Sequence, residues 1–225
     1  MRLIALVALL LVASCGRPLT EGEVAFARAL HGDTIDTDRI RILENGLVGV
    51  SSRTYAVRPR TTCRELILPP TEAATFEGRA AGIVLGHTVN VREDWYVEDY
   101  TRNDAGEMSL VAAMFMAHEI THVWQWQNRA LTGYHPFRAA REQVMLDDPY
   151  LFDTDAGQRF LDYGYEQQAS LVEEFICCDT LDPGGARTGR LKALLSQVMP
   201  VTPLPTAGRD IRIPWAGAAL EGICA

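Results

Sequence analysis

The chain has 225 residues, 48% of them hydrophobic and 22% charged, with a formal net charge of −8. That length suits one domain with a sizeable core, and the composition excludes collagen, coiled coil and wholesale disorder. The acidic balance argues against nucleic acid as a partner, which would want a basic stripe.

The amino terminus reads as an address. Met1 and Arg2 precede an unbroken apolar run of 11 residues, Leu3 to Ala13. About 20 are needed to span a bilayer, so the run reads as the core of a signal peptide rather than a membrane anchor. It ends in Val12-Ala13-Ser14-Cys15-Gly16, which is similar to the lipobox of bacterial lipoproteins. That likeness implies cleavage before Cys15, acylation of Cys15, and a place in the bacterial cell envelope. With Gly16 after the cysteine, the outer membrane, facing the periplasm, is the expected destination. The expected organisation is a signal peptide over 1–14, a domain over 15–198, and a proline-rich tail over 199–225 packed on that domain. In an oxidising envelope, Cys63, Cys177, Cys178 and Cys224 permit two disulfides in three connectivities. Adjacent Cys177 and Cys178 are poorly placed to bridge each other, so Cys63 and Cys224 are each expected to reach one of them. Buried free thiols are the alternative. A zinc cluster is poorly supported, since no C-x2-C pair is present.

Thr20 and Glu23 form a capping-box pattern that opens a helix running to about Gly32. Segments 38–43, 46–57, 65–68 and 82–91 read as strands, punctuated by Pro59, Pro69 and Pro70. The strongest helix recurs through Leu110, Val111, Met114, Phe115, His118 and His122. Asp104 is its expected cap, with Glu107 three residues on, and its end is expected near Ala130. Residues 131–150 read as a loop with a helical piece at 137–145. Further helices are expected over 163–178 and 187–198, and the prolines at 200, 203, 205 and 214 mark a non-helical tail.

Within the strong helix lies His118-Glu119-Ile120-Thr121-His122. Residues four apart share one helix face, so two imidazoles there can hold one Zn²⁺. Glu119, beside the first histidine, can serve as general base in metal-assisted hydrolysis. A third ligand is required. Gln125 and Asn128 occupy positions where the longer H-E-x-x-H-x-x-G-x-x-H pattern needs Gly and His, so that class is excluded. Glu166 is favoured as third ligand, because Ala169 and Ser170 let its helix approach closely. Glu142 and Glu173 are the competitors.

The block from His118 to Gln127 (H-E-I-T-H-V-W-Q-W-Q) resembles the H-E-[LM]-T-H-V-x-Q motif of a metallopeptidase family of Vgr-related proteins, found with extracellular contractile injection systems. The resemblance extends to Arg17–Thr20, Asp38–Ile42, Gly133–Phe137 and Glu166–Ala169. It thus covers roughly residues 17–180; the stretch after Asp182, with Cys224, has no counterpart. It implies a zincin-like (gluzincin) peptidase fold more than a substrate.

The expected fold is therefore α+β: a zincin-like metallopeptidase domain with a small N-terminal sheet, and H-E-x-x-H on the central helix. Zinc would sit on His118, His122 and Glu166, with Glu119 catalytic. Tyr165 and His135 are the first candidates to stabilise the transition state, with Tyr163 and Tyr134 behind them. Gln125 could hydrogen-bond behind a ligand, and the strand at 82–91 could hold a peptide by β-augmentation. The expected function is zinc-dependent hydrolysis of a peptide or protein by a lipid-anchored envelope protein. The alternative is a non-catalytic zinc-binding or scaffold lipoprotein.

Overall fold

The computed structural model describes residues 16–154, 157–206 and 209–225. The apolar leader and Cys15 lie outside the described residues. Helix α1 spans Glu21–His31 and is opened by the expected capping box: the Thr20 hydroxyl accepts from Glu23 N–H, and the Glu23 carboxylate accepts from Thr20 N–H. Glu23 is fully buried yet satisfied, because Arg17 clamps it at 2.7 and 2.8 Å and Tyr100 N–H donates to it.

Strand β1 (Arg41–Glu44) starts later than expected, because residues 37–39 form a 3-10 turn. Strand β2 is Ser52–Ala56, and it pairs antiparallel with β3 (Thr75–Arg79), a strand with no clear sequence signal. Between them, Cys63–Leu66 is a short helix, α2, and not the strand expected at 65–68. The reason is tertiary. The Glu174 carboxylate accepts the N–H groups of Cys63 and Arg64 at 2.9 and 3.3 Å, which caps a helical turn there. The single strand expected over 82–91 is a hairpin, β4 (Gly82–Leu85) and β5 (Thr88–Val91). It turns at Gly86, whose φ of 64° suits a glycine. The sheet order is β1-β5-β4, with β1 parallel and β4 antiparallel to β5, so β4 is an edge strand of this sheet.

Helix α3, Leu110–Gln127, is buried without a break from Ala113 to Gln125. It begins six residues after its expected cap. Met108–Ser109 is instead a short strand, β6, paired in parallel with β7 (Ile211–Arg212) from the tail. The N–H groups that Asp104 would have capped, of Gly106 and Glu107, are taken by Asn103 instead. Trp124 is fully buried, stacks on His31, and donates its indole N–H to Thr34. Helices α4 (Arg129–Thr132) and α5 (Pro136–Met145) follow. Helix α6 (Tyr165–Leu181) packs along α3, and α7 (Ala186–Leu195) packs on α6. Ala169 and Ser170 are both buried on α6. The tail lies on the core through Val201 and Leu204 and ends with Ile223 and Cys224 buried. Two disulfides staple the assembly, Cys63–Cys177 and Cys178–Cys224. No helix among the described residues is long and apolar enough to cross a membrane.

Candidate functional site

His118 and His122 sit one turn apart on α3 and turn their Nε2 atoms toward each other at 3.1 Å. Glu166, in the first turn of α6, brings Oε2 to 3.1 Å from the first and 3.3 Å from the second. All three residues are buried. They form one of two groups among the described residues able to hold a metal ion; the other is made of disulfide cysteines.

Each imidazole is backed at its other nitrogen. His122 Nδ1–H donates to Gln125 Oε1 at 2.8 Å. Gln125 is fully buried, and its Nε2 donates to Tyr165 C=O and Gln168 Oε1, both at 3.0 Å. Its oxygen is thereby reserved for the histidine. Behind His118, Glu173 Oε1 lies 3.3 Å from Nδ1, an ion-pair contact that is not aligned as a hydrogen bond, while Oε2 of the same carboxylate pairs with Arg64 at 2.8 Å. With Nδ1 of His122 hydrogen-bonded and Nδ1 of His118 facing a carboxylate, two Nε2 lone pairs and a carboxylate oxygen converge on one point. Such a cluster repels itself unless a cation or a proton sits there. A tetrahedral ion at about 2.0–2.1 Å from each donor requires donor separations of roughly 3.3 Å. The observed edges are close to that.

The charges show the same tension. Burial opposes a charged His118, but Glu173 and Glu166 outweigh it and hold the imidazole well above its usual pKa. His122 is likewise raised, burial again being overcome by Glu166. Burial would raise Glu166, yet His122 and His118 pull it well below the ordinary carboxylate range. Glu119 goes the other way: its burial dominates over the two imidazoles and raises its pKa. Its carboxylate packs onto β4 at Gly82, where any side chain would collide with it.

The competing third ligands have other work. Glu142 accepts the N–H of Tyr165 at 2.8 Å and so caps α6. Glu173 stands behind His118, as described. Tyr165 does not turn its hydroxyl to the cluster but donates it to Gly133 C=O at 2.6 Å. Tyr163 donates to Asp153 C=O. His135 is exposed, and its Nδ1 accepts from Phe137 N–H as the cap of α5. Tyr134 is half-buried, its ring edge-on to those of Trp126 and Tyr165. Burial, then the charge of Glu166, pushes its pKa up to about 12, and Glu119 adds to the effect. Tyr150 was not singled out by sequence. It packs its ring 5.9 Å from that of His118 and accepts a hydrogen bond from Gln143 at 3.0 Å. No spacing rule would have found it, because it lies in an irregular segment after α5.

Fold and site thus define an α+β domain with a buried cluster of two histidines and one glutamate at the α3–α6 interface. No protein-family model matches the chain. Over 167 residues it is 28% identical to the type VI secretion system spike protein VgrG2b of Pseudomonas aeruginosa. That match takes 73% of this chain but spans only 13% of the relative's own length. The effector domain of Pseudomonas aeruginosa VgrG2b superposes with a TM-score of 0.53 at 23% identity, covering 83% of this chain and 85% of that one. The chain is therefore related in sequence to VgrG2b, and it shares the fold of that effector domain.

Proposed function

We propose that the chain is a zinc-dependent peptidase of zincin-like fold, held to the bacterial envelope by lipid on Cys15. The observation that carries this reading is the buried triangle of His118 Nε2, His122 Nε2 and Glu166 Oε2, with edges of 3.1–3.3 Å. These three would hold the zinc. Once bound, zinc supplies Lewis-acid polarisation of a substrate carbonyl and of water.

The chain's own residues do the remaining work. Glu119, raised by burial, is the general base: it takes a proton from the attacking water and returns it to the leaving amine. Tyr134, kept protonated, is the hydroxyl that can donate to oxygen charge developing on the substrate. Edge strand β4 runs from Gly82 beside Glu119 to Leu85, so an extended peptide laid along it would pass the base. The likeness to an effector domain supports a chain that acts on a target. The apolar leader ending at Cys15, together with two disulfides, supports the envelope as its compartment.

The test is metal analysis of the purified chain beside Glu119→Gln. Both should carry one zinc per chain, while peptide hydrolysis falls by about 10²–10⁴ in the variant. Absence of stoichiometric zinc, or full hydrolysis by Glu119→Gln, would overturn the reading. Zinc without turnover in either form would point instead to the non-catalytic scaffold. Cys15→Ser should release the chain from membranes.

A further inference from the structure

The three metal-facing donors account for only part of what is buried at this interface. Glu173 lies seven residues beyond Glu166 on α6, and it faces the Nδ1 side of His118, away from the triangle. Its second oxygen is held by Arg64. Arg64 comes from a different part of the chain, the first turn of α2. Nothing in the local sequence of α6 would bring it there.

Three features fix Arg64 on α6. The neighbouring Cys63 is disulfide-bonded to Cys177, one helical turn beyond Glu173. Glu174, next to Glu173, accepts both the Cys63 and Arg64 N–H groups, and is itself paired with Arg187 at 3.1 Å. The Arg64 Nε donates to Glu65 at 2.9 Å, which orients the guanidinium. Adjacent glutamates thus divide the task. Glu174 seats the backbone of α2, and Glu173 receives its arginine.

We propose that Glu173 and Arg64 are positioning residues of the metal centre, with the Cys63–Cys177 disulfide as their anchor. Glu173 sets a carboxylate against the Nδ1 side of His118, 3.3 Å away, a contact that metal binding at Nε2 would draw into a hydrogen bond. Arg64 holds Glu173 in that orientation and balances its charge, so that the buried carboxylate stays behind the ring and does not swing round to become a ligand. A carboxylate behind a ligating histidine fixes its tautomer and raises its basicity, and loss of such a partner weakens metal binding by about 10–100-fold. The other histidine has a neutral partner in Gln125, so the two ligands are supported unequally and His118 is the one made more basic.

This inference rests on the zinc reading above, and its test separates the two. Zinc affinity would be measured by competition with a chromophoric chelator for the wild-type chain, Glu173→Gln, Arg64→Met, Arg64→Lys and the double variant Cys63→Ser/Cys177→Ser. The double variant Cys178→Ser/Cys224→Ser serves as control, since the disulfide it removes ties α6 to the tail and not to α2. The expected result is a loss of about 10–100-fold for Glu173→Gln. Smaller losses are expected for Arg64→Met and for the Cys63/Cys177 variant, with partial rescue by Arg64→Lys and a near-wild-type control. In the zinc-loaded protein, the His118 Nδ1 proton should resonate far downfield and move upfield in Glu173→Gln, a change that loss of stability alone would not produce. Wild-type chain that binds one zinc, with both Glu173→Gln and Arg64→Met within twofold of it, would overturn the positioning role and leave the zinc reading intact. Should Glu173→Gln fail to fold, Arg64→Met and the paired cysteine variants still decide. A wild-type chain that takes no zinc would overturn both.

Discussion

Gly82 offers a perturbation whose effects on stability and on activity should separate. A Cβ built there would lie 2.4 Å from Glu119 Oε1 and 2.5 Å from its Cδ, whereas ordinary contacts begin near 3.4 Å. Gly82→Ala therefore pushes the carboxylate away by about 1 Å. The displaced atoms end a side chain with rotatable bonds, so the folded state can absorb the change through an off-rotamer shift of about 0.5–1.5 kcal/mol. In a domain of this size that lowers the melting temperature by only about 1–6 °C. If Glu119 is the general base proposed above, a displacement of that size should lower the rate by about 10²-fold. None of the three metal-facing residues is touched, so zinc content should stay at one per chain. The assays are differential scanning calorimetry, metal analysis and initial rates on a peptide substrate, run on the same preparation. Turnover within a few-fold of wild type would refute the placement of Glu119 against β4 as catalytically relevant. Loss of zinc, or collapse of the fold, would refute the claim that only the base is affected.

Three further outcomes follow from the same structure. The disulfides close separate loops, with sequence separations of 114 and 46. The chain-entropy relation then assigns each about 4–5 kcal/mol, so reduction should shift the chemical denaturation midpoint strongly, and an unchanged midpoint would refute their structural weight. Glu142→Ala removes the acceptor for Tyr165 N–H and should lower stability by about 1 kcal/mol, as loss of a helix cap does. Zinc affinity should stay within a few-fold, and its loss would make Glu142 a ligand after all. His31 is fully buried, and burial lowers its pKa to about 3 from the usual 6.5. The unfolded chain therefore binds this proton first, and native stability should fall as pH drops below about 6.5, by about 2 kcal/mol between pH 7 and 5. His31→Phe should remove that part of the slope in denaturation curves taken across this range, and an unchanged slope would count against a neutral buried imidazole.

Much of the site was legible in the residues themselves, because helical periodicity is a local property. Spacing of four along α3 places His118 and His122 on one face whatever surrounds them, and the Thr20/Glu23 cap is written in four consecutive positions. The preference for Glu166 over Glu142 also rested on local chemistry, the small Ala169 and Ser170 on its helix. The strand boundaries were less legible. Gly86 breaks 82–91 into a hairpin, and residues 65–68 look like a strand until Glu174, more than a hundred residues away, caps them into a helical turn. The start of α3 was misplaced for a similar reason: β7 in the tail claims the backbone of Met108 and Ser109.

The sequence by itself determined the pair of histidines, the adjacent glutamate, and the set of four cysteines available to pair. Which cysteine joins which, and which carboxylate faces the triangle and which stands behind it, was decided by tertiary structure. Those choices depend on groups distant in sequence. Arg64 reaches Glu173, and Gln125 is held by Tyr165 and Gln168, only because α2, α3 and α6 are pressed together in one buried interface. In that interface an unpaired polar group is costly, which favours the pairings of Gln125, Glu173 and Glu174 with the partners that packing brings within reach.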